Sequence, residues 1–165
     1  MYTAAIVTVS DKGFAGERED KSGAFLHEAL TNYGYQVSLY EIVPDERQLI
    51  ADLLAKIADE NIAQLVVTTG GTGFSPRDCT PEATLDVVEK QCPGIPEAMR
   101  SMSMAITKRA MLTRSMAGIR KGTLIINLPG SVRAVAECLD CIADQLGHGL
   151  DVLTGASGDC GTHKR

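Results

Sequence analysis

The chain has no tryptophan, and its seven aromatic residues make up only 4% of 165 positions. No known nucleic-acid-reading motif accompanies them, which argues against a base-stacking module. No apolar run approaches the roughly 18–20 residues that a membrane span requires. The first residues, Met1–Ile6, lack the basic flank and long apolar stretch of a signal peptide. Five cysteines, at positions 79, 92, 138, 141 and 160, are an odd number without framework spacing. Reduced thiols and a cytoplasmic location are therefore expected. The Gly-x-Ser-x-Gly elbow of a serine hydrolase is missing, and His27, His148 and His163 form no pairing pattern.

What remains is ordinary globular composition, 44% hydrophobic and 22% charged. The length suits one domain with one sizeable core. A single domain over residues 1–155 is expected, followed by a flexible Gly- and polar-rich tail over 156–165. The formal charge is −5, which at first disfavours anionic partners. The charge is unevenly spread, however. Ala98–Ala136 contains no Asp or Glu but seven basic residues, so the rest of the chain carries −12. A local anion site is compatible with that distribution.

Apolar β-branched runs predict strands at Thr3–Ser10, Gln36–Val43, Leu65–Thr69 and Thr123–Leu128. Helical periodicity predicts helices from Ser22, as N-cap, to about Asn32, over Asp45–Glu60, from Thr80, as N-cap with Pro81 at N1, to about Lys90, and over about Pro96–Ile106. Two more are expected at Val132–Ile142 and Asp144–Leu153, while Ala110–Arg120 is ambiguous. The order β-α-β-α-β-α-α-β-α-α implies an α/β fold, a mainly parallel sheet sandwiched by helices. Ligands then bind beyond the C-terminal ends of the strands. Three loops should converge there: Ser10–Gly13, Gly70–Asp78 and Leu128–Ser131.

Each candidate site residue has two readings. Gly70-Gly71-Thr72-Gly73 follows a strand and precedes a helix, so its backbone N–H groups could cradle an anion. It could equally be a tight turn that uses Gly for positive φ. It is neither a Walker A loop nor a dinucleotide fingerprint. Asp78, beside that loop, could hold Mg²⁺ with phosphate oxygens, or cap a helix, or pair with Arg77. Asp45 could face the same crevice, or serve as N-cap of its helix in a capping box with Gln48. Asn127-Leu128-Pro129-Gly130-Ser131 is either a second anion site or a plain turn. Cys138-Leu139-Asp140-Cys141 has CxxC spacing, but it falls within an amphipathic helix and reads as core packing. Met99, Met102, Met104 and Met111 read as core or subunit-interface residues.

Several blocks occur in a characteristic order and spacing. They are Thr8-Val9-Ser10-Asp11, Asp20-Lys21-Ser22-Gly23, Pro44-Asp45-Glu46, the long block Gly70-Gly71-Thr72-Gly73-Phe74-Ser75-Pro76-Arg77-Asp78-Cys79-Thr80-Pro81-Glu82-Ala83-Thr84, and Asn127–Ser131. Together they resemble the MogA/MoaB family of molybdenum-cofactor biosynthesis proteins, which includes gephyrin-type G domains. The resemblance covers roughly residues 3–155. It implies a three-layer α/β/α sandwich, usually a homotrimer. It also implies molybdopterin adenylyltransferase activity: AMP passes from ATP to the terminal phosphate of molybdopterin, pyrophosphate leaves, and Mg²⁺ is needed.

The family's two essential carboxylates fall on Asp45 and Asp78, which the resemblance makes catalytic and candidate Mg²⁺ ligands. Ser10, Asp11, Gly70, Gly71, Thr72, Gly73, Asn127, Pro129, Gly130 and Ser131 are assigned to ligand contact. Thr113 matches a position that is often Ser in the family. Basic side chains from the acid-free segment are expected to neutralise the two polyanionic substrates. Partners are these small molecules and a possible molybdate-inserting protein, with no nucleic acid and no membrane. The alternative is a non-catalytic, MoaB-like molybdopterin carrier. Family members that do not adenylylate tend to lack the Arg-Asp-x-Thr-Pro pattern, and this sequence keeps it as Arg77-Asp78-Cys79-Thr80-Pro81.

Overall fold

The computed structural model describes residues 1–156. Most of the tail expected to be flexible, from residue 157 onward, lies outside the described residues. Six strands form one sheet: β1 (Thr3–Val9), β2 (Gln36–Val43), β3 (Leu65–Thr69), β4 (Lys90–Gln91), β5 (Ala117–Arg120) and β6 (Thr123–Leu128). Their order is β2-β1-β3-β6-β5-β4. The first four are mutually parallel, and β5 and β4 close one edge antiparallel. The helices are α1 (Asp11–Phe14), α2 (Lys21–Asn32), α3 (Arg47–Asp59), α4 (Thr80–Val87), α5 (Gly94–Ile106) and α6 (Val132–Thr154), with a 3₁₀ turn at Lys108–Leu112. No described helix is long and apolar enough to cross a membrane.

The strand period of two sorts the core onto two faces. In β1, Ala4 and Ile6 pack with Leu26 and Leu30 of α2, Met99 of α5, and Val135, Leu139 and Ile142 of α6. Ala5, Val7 and Val9 point the other way, onto Ile50, Leu54 and Ile57 of α3 and Ala83 and Val87 of α4. The expected α/β/α sandwich with a mainly parallel sheet is therefore the observed architecture.

Five local expectations differ from the structure. The two C-terminal helices are one, α6, of 23 residues. Leu146 and Leu150 continue the buried stripe of Val135, Cys138, Leu139 and Ile142, and that burial offsets the roughly 1 kcal/mol that each of Gly147 and Gly149 costs in a helix. Asp20, not Ser22, caps α2, accepting from the Gly23 N–H at 2.8 Å. Helix α3 starts at Arg47, and Asp45 does not cap it; its N-cap, Glu46, makes no side-chain cap bond. Cys79 occupies the N-cap of α4, which frees the Thr80 hydroxyl to donate to the Gly70 carbonyl at 2.9 Å. The segment left ambiguous contains β5, an edge strand only four residues long.

Candidate active site

Register brings the strand ends into line. Val9 is level with Val43, and Thr8, Thr69 and Leu128 are level across β1, β3 and β6. The turns that leave these strands therefore meet at one end of the sheet. They enclose a crevice of about 720 Å³, whose walls include Ser10, Asp45, Gly70, Gly71, Asp78, Gly130 and Ser131. A smaller space of about 400 Å³ adjoins it, sharing Gly71, Asp78, Gly130 and Ser131 and adding Thr72, Gly73, Thr113 and Pro129.

The Gly70–Asp78 loop is held from several sides. Gly70 and Gly71 have φ of 97° and 65°, so the positive-φ reading applies to both. A Cβ on Gly70 would collide with the Val9 carbonyl oxygen, and one on Gly71 with Thr80 Oγ1. Asp78 folds back into its own loop: its Oδ2 accepts from the N–H groups of Gly73 at 2.9 Å and Ser75 at 3.2 Å. Arg114 clasps the loop from outside. Its Nε donates to the Gly73 carbonyl at 2.7 Å, its Nη2 donates to the Asp78 carbonyl at 2.9 Å, and its Nη1 pairs with Glu82.

Asp45 reaches the crevice from the turn after β2. Its Oδ2 accepts the Asp11 N–H at 2.9 Å, and its own N–H donates to Asp11 Oδ1 at 3.0 Å. Burial pushes the Asp45 carboxyl above the usual carboxylate range; the Asp11 N–H pulls it back, and the charges of Asp11 and Asp78 add to the rise. Asp11 itself is held below that range by its hydrogen bonds from Arg77. Asp45 and Asp78 therefore share a feature. In each, one oxygen is anchored by backbone N–H groups, and among the described residues the other, Oδ1, receives no hydrogen bond.

On the opposite wall, Ser131 Oγ accepts from the Ala134 N–H at 3.3 Å and caps the N-terminus of α6. Ser10 Oγ likewise accepts from the Gly13 N–H at 3.0 Å. The Pro129 carbonyl accepts from Thr69 Oγ1 at 2.7 Å. Thr113 Oγ1 lies 2.9 Å from Ser115 Oγ.

Two of the residues assigned to ligand contact are engaged with other parts of the protein. Asn127 is fully buried. Its amide donates to Thr68 Oγ1 at 3.0 Å and Thr84 Oγ1 at 2.8 Å, while its carbonyl oxygen accepts from Met116 N–H at 3.2 Å. It pins β6 to its neighbours, with both amide N–H bonds spent inside the protein. Asp11 is absent from both cavity walls and instead holds Asp45.

The acid-free segment also behaves differently from expectation. Arg114 is bound to Glu82, Arg120 and Lys121 to Asp59, and Arg133 to Glu137. Of the seven basic residues, Arg109 lines the smaller space. The cations on the larger crevice are Arg18 and Lys21, from the loop and first turn leading into α2. Lys21 lies in the Asp20-Lys21-Ser22-Gly23 block, but nothing there marks its charge for the crevice, and Arg18 stands among acidic neighbours outside any block. The Cys138–Cys141 pair lies in α6, with Cys138 in the core, as expected for packing.

Among the described residues there is no cluster of three or more His, Cys, Asp or Glu able to cage a metal. Two carboxylates with one free oxygen each suit a hard cation that takes its remaining ligands from water and phosphate.

Several known proteins are similar to this chain in sequence and fold. A family model described as "Probable molybdopterin binding domain" matches residues 5–148. A Helicobacter pylori protein named molybdopterin adenylyltransferase is 43% identical over 152 residues, covering 91% of this chain and 86% of its own. The Escherichia coli protein of the same name is 39% identical over 145 residues, covering 87% and 74%. The crystal structure of a Thermus MoaB, titled a molybdopterin biosynthesis enzyme, superposes with a TM-score of 0.89 at 43% identity, covering 94% of this chain and 98% of that one.

Proposed function

The chain belongs to the MogA/MoaB family of molybdenum-cofactor biosynthesis proteins, and on that premise we propose how its crevice works. The protein is a molybdopterin adenylyltransferase, a nucleotidyltransferase of molybdenum-cofactor biosynthesis. The terminal phosphate of molybdopterin attacks the α-phosphorus of ATP. A phosphorus–oxygen bond forms there, the bond to the bridging oxygen breaks, and pyrophosphate leaves with that electron pair. No protein nucleophile is needed. The chain's task is to bring two polyanions together and offset their repulsion.

The observation that carries this reading is the pairing of Asp45 and Asp78, each with one oxygen anchored and one free, beside a loop of backbone N–H groups. Mg²⁺ would be held by these two carboxylates, and when bound it supplies positive charge to the reacting phosphates. Burial of the Asp45 carboxyl supports this, because a buried charge favours a nearby cation. Within the Gly70–Gly73 loop, whose Gly70 and Gly73 N–H groups are already bonded, Gly71 and Thr72 offer N–H groups to phosphate oxygens, as does the capped N-terminus of α6. Arg18 and Lys21 add charge at the rim. Ser10, Thr72, Thr113, Pro129, Gly130 and Ser131 complete the walls.

Homotrimer assembly, a cytoplasmic location and transfer of product to a molybdate-inserting partner belong to the same proposal. Exposed Ile106, Met111 and Leu112 at the end of α5 and in the 3₁₀ turn support a subunit contact. The test incubates purified protein with molybdopterin, ATP and Mg²⁺ and measures pyrophosphate release. Release above a protein-free control is expected. Molybdopterin binding without release would favour the carrier.

A further inference from the structure

Asp45 sits in a turn that does not itself fix the carboxylate. Helix α3 begins without a side-chain cap: Glu46 at the capping position meets the first turn only through its carbonyl, which accepts the Ile50 N–H at 3.0 Å. Locally, one backbone hydrogen bond, from the Glu46 N–H to the Pro44 carbonyl at 2.8 Å, spans Pro44-Asp45-Glu46, and it does not reach the Asp45 side chain. The restraint comes from elsewhere in the chain. Asp11 grips Asp45 at two points, donating its N–H to Oδ2 at 2.9 Å and accepting the Asp45 N–H on its own Oδ1 at 3.0 Å.

Asp11 is in turn gripped by Arg77. Nε donates to Asp11 Oδ2 and Nη2 to Asp11 Oδ1, each at 3.0 Å, and Nη2 also reaches Glu46 Oε1 at 2.9 Å. One planar guanidinium thus holds residues on both sides of the Asp45 turn. Arg77 also precedes Asp78 in the chain, so a single side chain ties together the loops that carry both carboxylates. Neither Arg77 nor Asp11 lines the crevice, whereas Asp45 does.

We infer that Arg77, acting through Asp11, is a positioning residue that sets where the Asp45 carboxylate stands relative to Asp78. This inference rests on the adenylyltransferase reading for its kinetic consequence, but not for its geometry. The side chain of Arg77 is 53% exposed, so its ion pairs add little to global stability. Their effect is on placement, where small displacements are expensive in rate.

The test compares Arg77→Met, Arg77→Lys, Asp11→Asn and the double variant Arg77→Met/Asp11→Asn. Arg77→Met is expected to lower kcat on the order of 10- to 100-fold with KM for ATP changed less than about threefold. Its thermal midpoint should stay within about 2 °C of wild type. Arg77→Lys keeps the charge but loses the fork, and its kcat is expected to fall between the two. Because both residues act through one contact, the double variant should be no slower than the slower single variant. Arg77→Met at the wild-type kcat, or single effects that multiply in the double variant, would overturn the inference.

A second measurement needs no turnover. Amide hydrogen exchange at Asp11 and Asp45 should be at least about fivefold faster in Arg77→Met, with Val66 and Val67 in β3 unchanged. Unchanged exchange at Asp11 and Asp45 would overturn the inference as well. If wild type releases no pyrophosphate, the adenylyltransferase reading fails, and the exchange result still decides on Arg77.

Discussion

Two glycine-bearing turns face each other across the crevice, Gly70–Asp78 after β3 and Pro129–Ser131 after β6. They leave adjacent parallel strands at the same level, yet they are built differently. The first is long and needs two residues at positive φ. Its shape comes from side chains folded back onto it: Asp78 from within, Thr80 from the next helix and Arg114 from beyond α5. The second is three residues long, and its Ser131 caps a 23-residue helix. A Cβ on Gly130 would meet only the Gly70 backbone, its Cα at 3.4 Å and N at 3.9 Å, which is ordinary contact. One turn is thus a constructed loop that places a carboxylate. The other is the start of a helix that presents N–H groups. Glycine is a backbone requirement in the first and a convenience in the second.

This contrast can be broken by substitution. The largest effect is expected for Asp78→Asn, which should lower turnover on the order of 10²- to 10³-fold while leaving molybdopterin binding, read by equilibrium dialysis, near wild type. A rate equal to wild type would leave the long loop without a catalytic carboxylate. Next comes Gly70→Ala. The left-handed strain alone costs about 1–3 kcal/mol, and the clash with Val9 adds to it. The thermal midpoint should fall by at least about 4 °C in scanning calorimetry. Ser131→Ala removes the cap on Ala134 N–H and should cost about 1 kcal/mol, a fall of roughly 2–4 °C. Gly130→Ala should change stability by less than about 0.5 kcal/mol. If Gly130→Ala destabilised as much as Gly70→Ala, the two turns would depend on glycine equally and the contrast would disappear.

Much of the scaffold was legible because its signals are local. Leu65–Thr69 is a run of five buried residues, and the stripe in α3 repeats at Ile50, Leu54 and Ile57. Both patterns report the face that must leave water. Topology then placed the crevice without any motif. What escaped were features that depend on distant partners. The short antiparallel edge, β4 and β5, is only two and four residues long and takes its shape from pairing. The break expected between Ile142 and Asp144 is absent because Leu146 and Leu150 continue the buried stripe of one helix across it.

The site divides in the same way. Asp45 read naturally as a helix cap because Gln48 stands three residues on, yet the helix begins two residues later and leaves Asp45 to Asp11. Asn127 looked like part of a ligand turn because it borders Pro129-Gly130-Ser131, but its side chain points into the protein toward Thr68 and Thr84. The basic segment looked like an anion site because charge is visible in sequence while pairing is not. Arg114, Arg120, Lys121 and Arg133 each meet an acid that the linear chain keeps at a distance or on the next turn.

The sequence by itself determined the α/β order, the end of the sheet where ligands gather, and the identity of Asp45 and Asp78 as the carboxylates to examine. The first two follow from hydrophobic period and turn chemistry, which act over a few residues, and the third from the family resemblance that the motif blocks carry. Tertiary structure alone decided which polar groups are free and which are spent. Arg18 and Lys21 stand at the rim, Arg77 and Asp11 are engaged in holding Asp45, and Asn127 is consumed in the core. A side chain's availability is set by its partners across the fold, and hydrogen bonds between residues far apart in sequence leave no periodic trace in it.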